Sequence, residues 1–261
     1  MDLLSHNREA WNLLSAQKNE WTVPATPQQI AQAKAGKISI VLTPTKPIPA
    51  PWLGNLSGKK VLCLASGGGQ QAPLLAAAGA QVTVLDNSPA QLATDQQVAQ
   101  REGLEITTIQ GDMRHFPQIS SNQFHLIIHP VSNCFIDDVR PLWKEAYRVL
   151  QPGGELLAGF SNPAIYLFEP DLWDNEQRLV VTGRIPYSDL EQRSPERLVQ
   201  MKAQKEALEF GHTLEDQIAG QIDCGFSITG FYEDLSNDPL IDAHIPMFIA
   251  TRARKPQSSP S

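Results

Sequence analysis

The chain holds only three cysteines, Cys63, Cys134 and Cys224, far apart and without a CxxC pair. That spacing excludes a disulfide framework and a zinc ribbon, and it predicts buried thiols in a reducing compartment. No apolar run approaches the length of a membrane span. The opening MDLLSHNREAWN lacks the charged-then-apolar plan of a signal peptide, so a soluble, cytoplasmic protein is expected. Basic charge is scarce as well: the formal net charge is −7, which argues against nucleic acid or an anionic membrane as partner. There is no internal repeat. What remains is 261 residues, 41% of them hydrophobic, enough for one domain with additions and a sizeable core.

Three sections follow. In residues 1–57, Leu3, Leu4, Trp11, Leu13 and Leu14 recur at helical spacing and predict an amphipathic helix over 3–17. A second helix is expected over 27–35, capped by Thr26, with Pro27 in its first turn and Gly36 beyond its end. Prolines at 44, 47, 49 and 51 then predict an extended strap. Residues 58–254 form the main domain. Strands are expected at 60–65, 81–86, 106–110, 124–129 and 155–160, with helices at 70–78, 88–101 and 138–150 between them. Strands separated by helices of this length imply a parallel sheet with right-handed crossovers. Residues 163–212 are polar, break the alternation and read as a cap inserted over the sheet edge. Thr213 opens a further helix ending near Gly225, and strands at 226–232 and 246–251 complete the fold. The tail 255–261, KPQSSPS, is expected to be disordered.

The chemistry-bearing stretch is VLCLASGGGQQA, residues 61–72. Gly67, Gly69 and Ala72 match the dinucleotide pattern G-x-G-x-x-A between a strand and a helix, where backbone N–H groups are unpaired. The second strand ends in Asp86, whose carboxylate can accept hydrogen bonds from two ribose hydroxyls. Together they imply an adenosine-containing ligand across the carboxyl ends of the strands.

With VTVLDNSPAQL, IQGDMRHFP, FHLIIHPVSNCF and EAYRVLQPGGELLAGF added, the chain resembles the class I S-adenosylmethionine-dependent methyltransferases of the type 11 family. It resembles in particular a bacterial branch carrying GGGQQ and NREAWN. The resemblance implies a Rossmann-like, doubly wound, mostly parallel sheet with an antiparallel last strand, an N-terminal helical extension and a cap insertion. It implies S-adenosyl-L-methionine as cofactor. Ala65, Ser66, Gly67, Gly68 and Gly69 would lie beneath its methionine portion, Asp86 and Asn87 at the ribose, and Gly111, Asp112 and Met113 at the adenine. His129 to Asn133 would border the methyl donor. Two positions depart from the family: Cys63 stands where an acidic residue is common, and Ala65 where glycine is. The implied reaction is in-line methyl transfer to a small-molecule acceptor, with S-adenosyl-L-homocysteine as product. Two alternatives stay open, a NAD-dependent oxidoreductase and a non-catalytic S-adenosylmethionine-binding protein.

If the acceptor must lose a proton, histidine is the usual base. Of the six, His129 and His212 are the candidates by position. Trp11 and Trp21 in the N-terminal section and Tyr166 in the insertion are candidate substrate contacts. Trp52, Trp173 and Tyr187 are read as packing residues, and Arg184 and Arg193 as solvated. His125, His129 and Cys134 lack the spacing of a metal site, so no metal is expected. The acceptor's identity and the oligomeric state are not encoded in any motif.

Overall fold

The computed structural model describes residues 2–257; most of the expected tail lies outside them. Helix α1 (Leu3–Ala16) and α2 (Pro27–Lys34) precede the strap, which carries a single short turn, α3 (Ala50–Leu53). The alternating section then runs β1 (Lys60–Leu64), α4 (Gln71–Ala77), β2 (Gln81–Asp86), α5 (Pro89–Glu102), β3 (Ile106–Gln110), β4 (Phe124–His129), α6 (Arg140–Val149) and β5 (Leu150–Ser161). The insertion contributes α7 (Pro170–Glu176), β6 (Tyr187–Ser188), α8 (Asp189–Gln192), α9 (Pro195–Gln204) and β7 (Phe210–Gly211). Helix α10 (Gly220–Asp223), β8 (Ser227–Asp234) and β9 (Phe248–Arg254) close the chain.

Seven strands form one sheet in the order β3-β2-β1-β4-β5-β9-β8. The first five are parallel, and β9 runs antiparallel to both β5 and β8. This is the expected Rossmann-like sheet with its reversed last strand. Burial on both faces explains the unbroken apolar runs. Val61 and Cys63 of β1 face one core with Leu75 and Val98, whereas Leu62 and Leu64 face the other with Leu142 and Trp143.

The helix ends follow local chemistry. Thr26 and Gln29 form a reciprocal capping box at α2. Ser88 Oγ accepts from Gln91 N–H at the start of α5, and Gly103 ends that helix at φ +66°. Two expectations shift. β5 starts at Leu150 rather than 155, because Leu150 already pairs with Phe124 of β4 and the QPGG residues, with Gly153 at φ +80°, are taken up in a bulge before Glu155 pairs with Leu126. The helix expected after Thr213 opens as a π-turn, Glu215–Ala219, before α10. There Asp216 O accepts from Trp143 Nε1 at 3.0 Å, which ties the π-turn to α6.

Candidate functional site

A cavity of about 750 Å³ lies at the carboxyl ends of the parallel strands. It runs from Asp86 on β2 and Gly111–Arg114 after β3, past Ala65–Gly67 and Pro130–Ser132, to Ser161 at the end of β5. The N-terminal section and the insertion close it. Leu3, Leu4, Asn7 and Trp11 of α1 line it, as do Trp21 and the strap residues Val41–Thr43; Ile165 and Glu209 enter from the insertion.

The closing pieces are fastened to one another. Asn7 Nδ2 donates to Phe135 O at 2.8 Å and to Leu208 O at 3.0 Å, and its Oδ1 accepts from Leu208 N–H at 2.8 Å. Leu3 packs on Met201, Leu208 and Phe210. α1 is also joined to the cofactor side of the sheet: Asn87 Nδ2 donates to Leu4 O and Ser88 Oγ to Asn12 Oδ1. The strap is pinned by Val131 N–H to Leu42 O at 3.0 Å and by Asp234, which accepts from the N–H groups of Thr45 and Lys46 at 2.9 Å.

Two of the three glycines have a protein-internal explanation. A Cβ at Gly68 would lie 2.5 Å from Gln91 O and 2.8 Å from Gln91 Cα, and one at Gly69 would meet Pro24 Cβ at 2.7 Å. The N–H of Gly68 donates to Gln91 Oε1 at 2.7 Å and that of Gly69 to Asp95 Oδ1 at 2.8 Å. Both amides are therefore taken by α5, and neither glycine lines the cavity. Ala65, Ser66 and Gly67 do line it. Ala65 sits at φ +44°, the region that favours the glycine common in the family. Ser66 Oγ is buried with no hydrogen-bond partner among the described residues, which leaves it for a group inside the cavity.

Asp86 Oδ1 accepts from Ser88 N–H at 2.7 Å. Burial pushes its carboxyl up to about 6, against the backbone hydrogen bonds of Ser88 and Asn87, which lower it. Asp112 meets the cavity, but Arg114 grips both its oxygens at 2.7–3.1 Å and bridges on to Asp137. Met113 and Asn87 also line the wall.

Other expected positions are corrected. His129 does not line the cavity: strand alternation turns it toward α6, where it is fully buried and packs edge-on against Trp143 at 6.1 Å. Its Nδ1 lies 3.1 Å from Leu64 O, and its Nε2 has no partner among the described residues. Burial lowers its pKa to about 4. His212 sits behind the wall, with Nε2 3.0 Å from Asn133 O, and burial lowers its pKa too. Asn133 is committed to a reciprocal amide pair with Gln217 at 3.0 and 3.1 Å. Trp11 and Trp21 do face the cavity. Tyr166 stands one layer back, stacked on Tyr187 at 5.0 Å, and its hydroxyl donates to Glu209 Oε2 at 3.0 Å. Glu209 is the lining residue that the sequence does not reveal, one acid among several in a polar stretch. Among the described residues no group of three or more His, Cys, Asp or Glu could hold a metal ion, and no helix is long and apolar enough to cross a membrane.

A family model described as a methyltransferase domain matches residues 62–158. Over 253 residues the chain is 49% identical to an uncharacterised methyltransferase of Bacillus subtilis, YbaJ, covering 97% of this chain and 98% of that one. A ubiquinone biosynthesis O-methyltransferase of Pseudomonas syringae is 30% identical over 129 residues, 47% of this chain and 55% of the relative. Among solved structures, an S-adenosylmethionine-dependent methyltransferase from Mesorhizobium loti superimposes with a TM-score of 0.59 at 20% identity, covering 78% of this chain and 94% of the other. The chain belongs to the class I S-adenosylmethionine-dependent methyltransferases and is an enzyme of that kind. The YbaJ match extends through the N-terminal section and the insertion, so both are features of the relative's sequence as well.

Proposed function

We propose that the protein transfers the methyl group of S-adenosylmethionine to a small-molecule acceptor in the cytoplasm, by in-line displacement inside the cavity. The observation that carries this reading is the cavity itself, which crosses the carboxyl ends of β2, β1, β4 and β5 and is sealed by α1, the strap and the insertion. Its volume falls in the usual range for small-molecule sites. The residues fit the cofactor. Asp86 ends β2 with a carboxyl for the ribose hydroxyls, and Asn87 lies beside it. Ala65, Ser66 and Gly67 offer a cramped floor with an unpartnered hydroxyl for the methionine portion. Gly111 and Met113 border the place of the adenine. Asp112, already held by Arg114, is left to position that loop.

When bound, the cofactor supplies a methyl group already activated on a sulfonium. The protein's part is alignment and exclusion of water. The walls are built for both. Trp11, held edge-on by Phe135 at 5.0 Å, and Leu42 shield the cavity from solvent. The reading is tested by thermal unfolding and calorimetry with S-adenosylhomocysteine and with NADH. S-adenosylhomocysteine should raise the midpoint. Stabilisation by NADH alone would instead establish the oxidoreductase alternative.

A further inference from the structure

The cavity has two chemically different ends. The Asp86 end is accounted for by the cofactor. The other end, over β5 and next to the insertion, is walled mainly by Leu42, Val131, Ile165, Met247 and Phe248, with hydroxyls at Thr43, Ser132 and Ser161. One ionisable oxygen acid breaks that apolar wall: Glu209. Its backbone is clamped in place, with its N–H donating to Asp189 Oδ2 at 2.7 Å and its carbonyl accepting from Asp189 N–H at 3.1 Å. Its side chain takes one hydrogen bond, from the Tyr166 hydroxyl to Oε2. Among the described residues no Lys, Arg or His stands within salt-bridge distance of it; the nearby Arg193 is paired with Asp189 and Glu169.

The charge of the whole wall points the same way. Glu20, Asp86, Asp112 and Glu209 line the cavity, against one cation among the described residues, Arg114, which is already bound to Asp112 and Asp137. No described residue of the wall is placed to neutralise an anion. A carboxylate or phosphate there would be desolvated beside like charges, an unfavourable transfer with no free cationic side chain to offset it. A hydroxyl or an amine would instead give Glu209 a second donor, at Oε1.

We propose, resting on the methyltransferase reading above, that Glu209 receives the methyl acceptor at the β5 end of the cavity as a hydrogen-bond donor, so that the acceptor is an apolar molecule carrying a hydroxyl or amine nucleophile and not a carboxylate or phosphate. Tyr166 is then a positioning residue. It holds Oε2 and leaves Oε1 for the acceptor. In the transfer the acceptor's lone pair forms the new bond to the methyl carbon, the carbon–sulfur pair stays on sulfur as a neutral sulfide, and the proton released by the acceptor passes to Glu209. Burial and the neighbouring Asp189 push the Glu209 carboxyl above the usual carboxylate range, while Tyr166 and Arg193 pull it down; a raised carboxyl is a better proton acceptor than an ordinary one. Cys134, whose buried thiol is pushed well up by burial and by Glu209, stays protonated and does not compete for that role.

The test uses protein saturated with S-adenosylhomocysteine and three probes with similar apolar bodies: hexylamine, 4-butylphenol and hexanoate. Calorimetry measures the affinity of each for wild type and Glu209→Gln. Wild type should bind the amine, the phenol or both at least about tenfold more tightly than hexanoate. Glu209→Gln should erase that preference while keeping its affinity for S-adenosylhomocysteine. Hexanoate binding as well as the others, no binding by any probe, or an unchanged preference in Glu209→Gln would each overturn the proposal. If Glu209→Gln does not fold, the wild-type preference alone decides. Failure of S-adenosylhomocysteine itself to bind would instead refute the underlying methyltransferase reading.

Discussion

The N–H of Gly69 donates to the Asp95 carboxyl at 2.8 Å, so a buried acid on α5 holds the loop that follows β1. Asp95 is also the charge that, after burial, raises the Cys63 thiol. The carboxyl absent at position 63 of β1 is thus present nearby on α5. Burial raises Asp95 to about 8, opposed by its bond from Gly69. The folded state therefore holds a proton that the unfolded state releases near pH 4, and stability falls as pH rises from there to about 8. Asp95→Asn, which keeps an acceptor for Gly69, should match wild type in the acid range and gain on it with rising pH, by at most about 1.4 kcal/mol per pH unit. Asp95→Ala orphans the amide and should lose about 1–3 kcal/mol in urea unfolding near pH 4, where the acid's own titration does not yet weigh against wild type. Parallel pH curves for wild type and Asp95→Asn would contradict this.

Within the same loop two substitutions should have opposite signs. Gly68→Ala drives a methyl into the backbone of Gln91 and should cost about 2 kcal/mol or more, since neither backbone can yield cheaply. Ala65→Gly relieves a non-glycine residue at φ +44°. The left-handed penalty of about 1–2 kcal/mol exceeds the entropy glycine adds to the unfolded chain, about 0.4–1 kcal/mol. A higher midpoint for Ala65→Gly and a lower one for Gly68→Ala is the expected calorimetric result.

For Asp86, replacement by Ala should weaken S-adenosylhomocysteine binding by about 1.5–3 kcal/mol, the range for a hydrogen bond to a charged group. A carboxyl raised to about 6 in the free protein must ionise to accept both ribose hydroxyls. Affinity should therefore be full above about pH 7 and decline as pH falls through 6. Calorimetry across that interval would show no such decline if the ribose lies elsewhere.

His129 should matter for folding rather than chemistry. Its folded pKa of about 4 is depressed below the ordinary value, so its contribution is present above about pH 6.5 and lost as pH falls through 4. The total is about 3 kcal/mol at about 1.36 kcal/mol per unit. His129→Phe should flatten the acid limb of the stability curve. A selective loss of kcat with unchanged acid stability would return His129 to the reaction.

The sheet is legible in the sequence because a parallel strand covered on both faces leaves an apolar run between turn residues, as at Val61–Leu64 and Leu126–Ile128. Asp86 is legible because its place, at a strand end after a glycine loop, fixes its direction. His129 is not. Its strand position is right, but alternation places it on the face of Ile127, toward Trp143, and nearness to the strand end does not give access to the cavity. Glu209 leaves no signal. At the wall it is held by Asp189 and by Tyr166, 20 and 43 residues earlier, and no local pattern marks such pairs. The glycine loop lies where the pattern puts it, but two of its three glycines answer to α5 and the N-terminal section rather than to a ligand.

The clasp between Asn7 and Leu208 spans 201 residues, and that between Thr45 and Asp234 spans 189. The N-terminal section thus completes its contacts only with segments made long after it. Until β4, β5 and β8 exist, the strap has no sheet edge to settle on, and α1, though it can meet α5, lacks the partners of Asn7 and Leu3. Contacts of such sequence separation slow folding and lengthen exposure to aggregation. The wall that encloses the cavity is in this sense a late event in the life of each chain, and competence to bind should trail the formation of the sheet during synthesis.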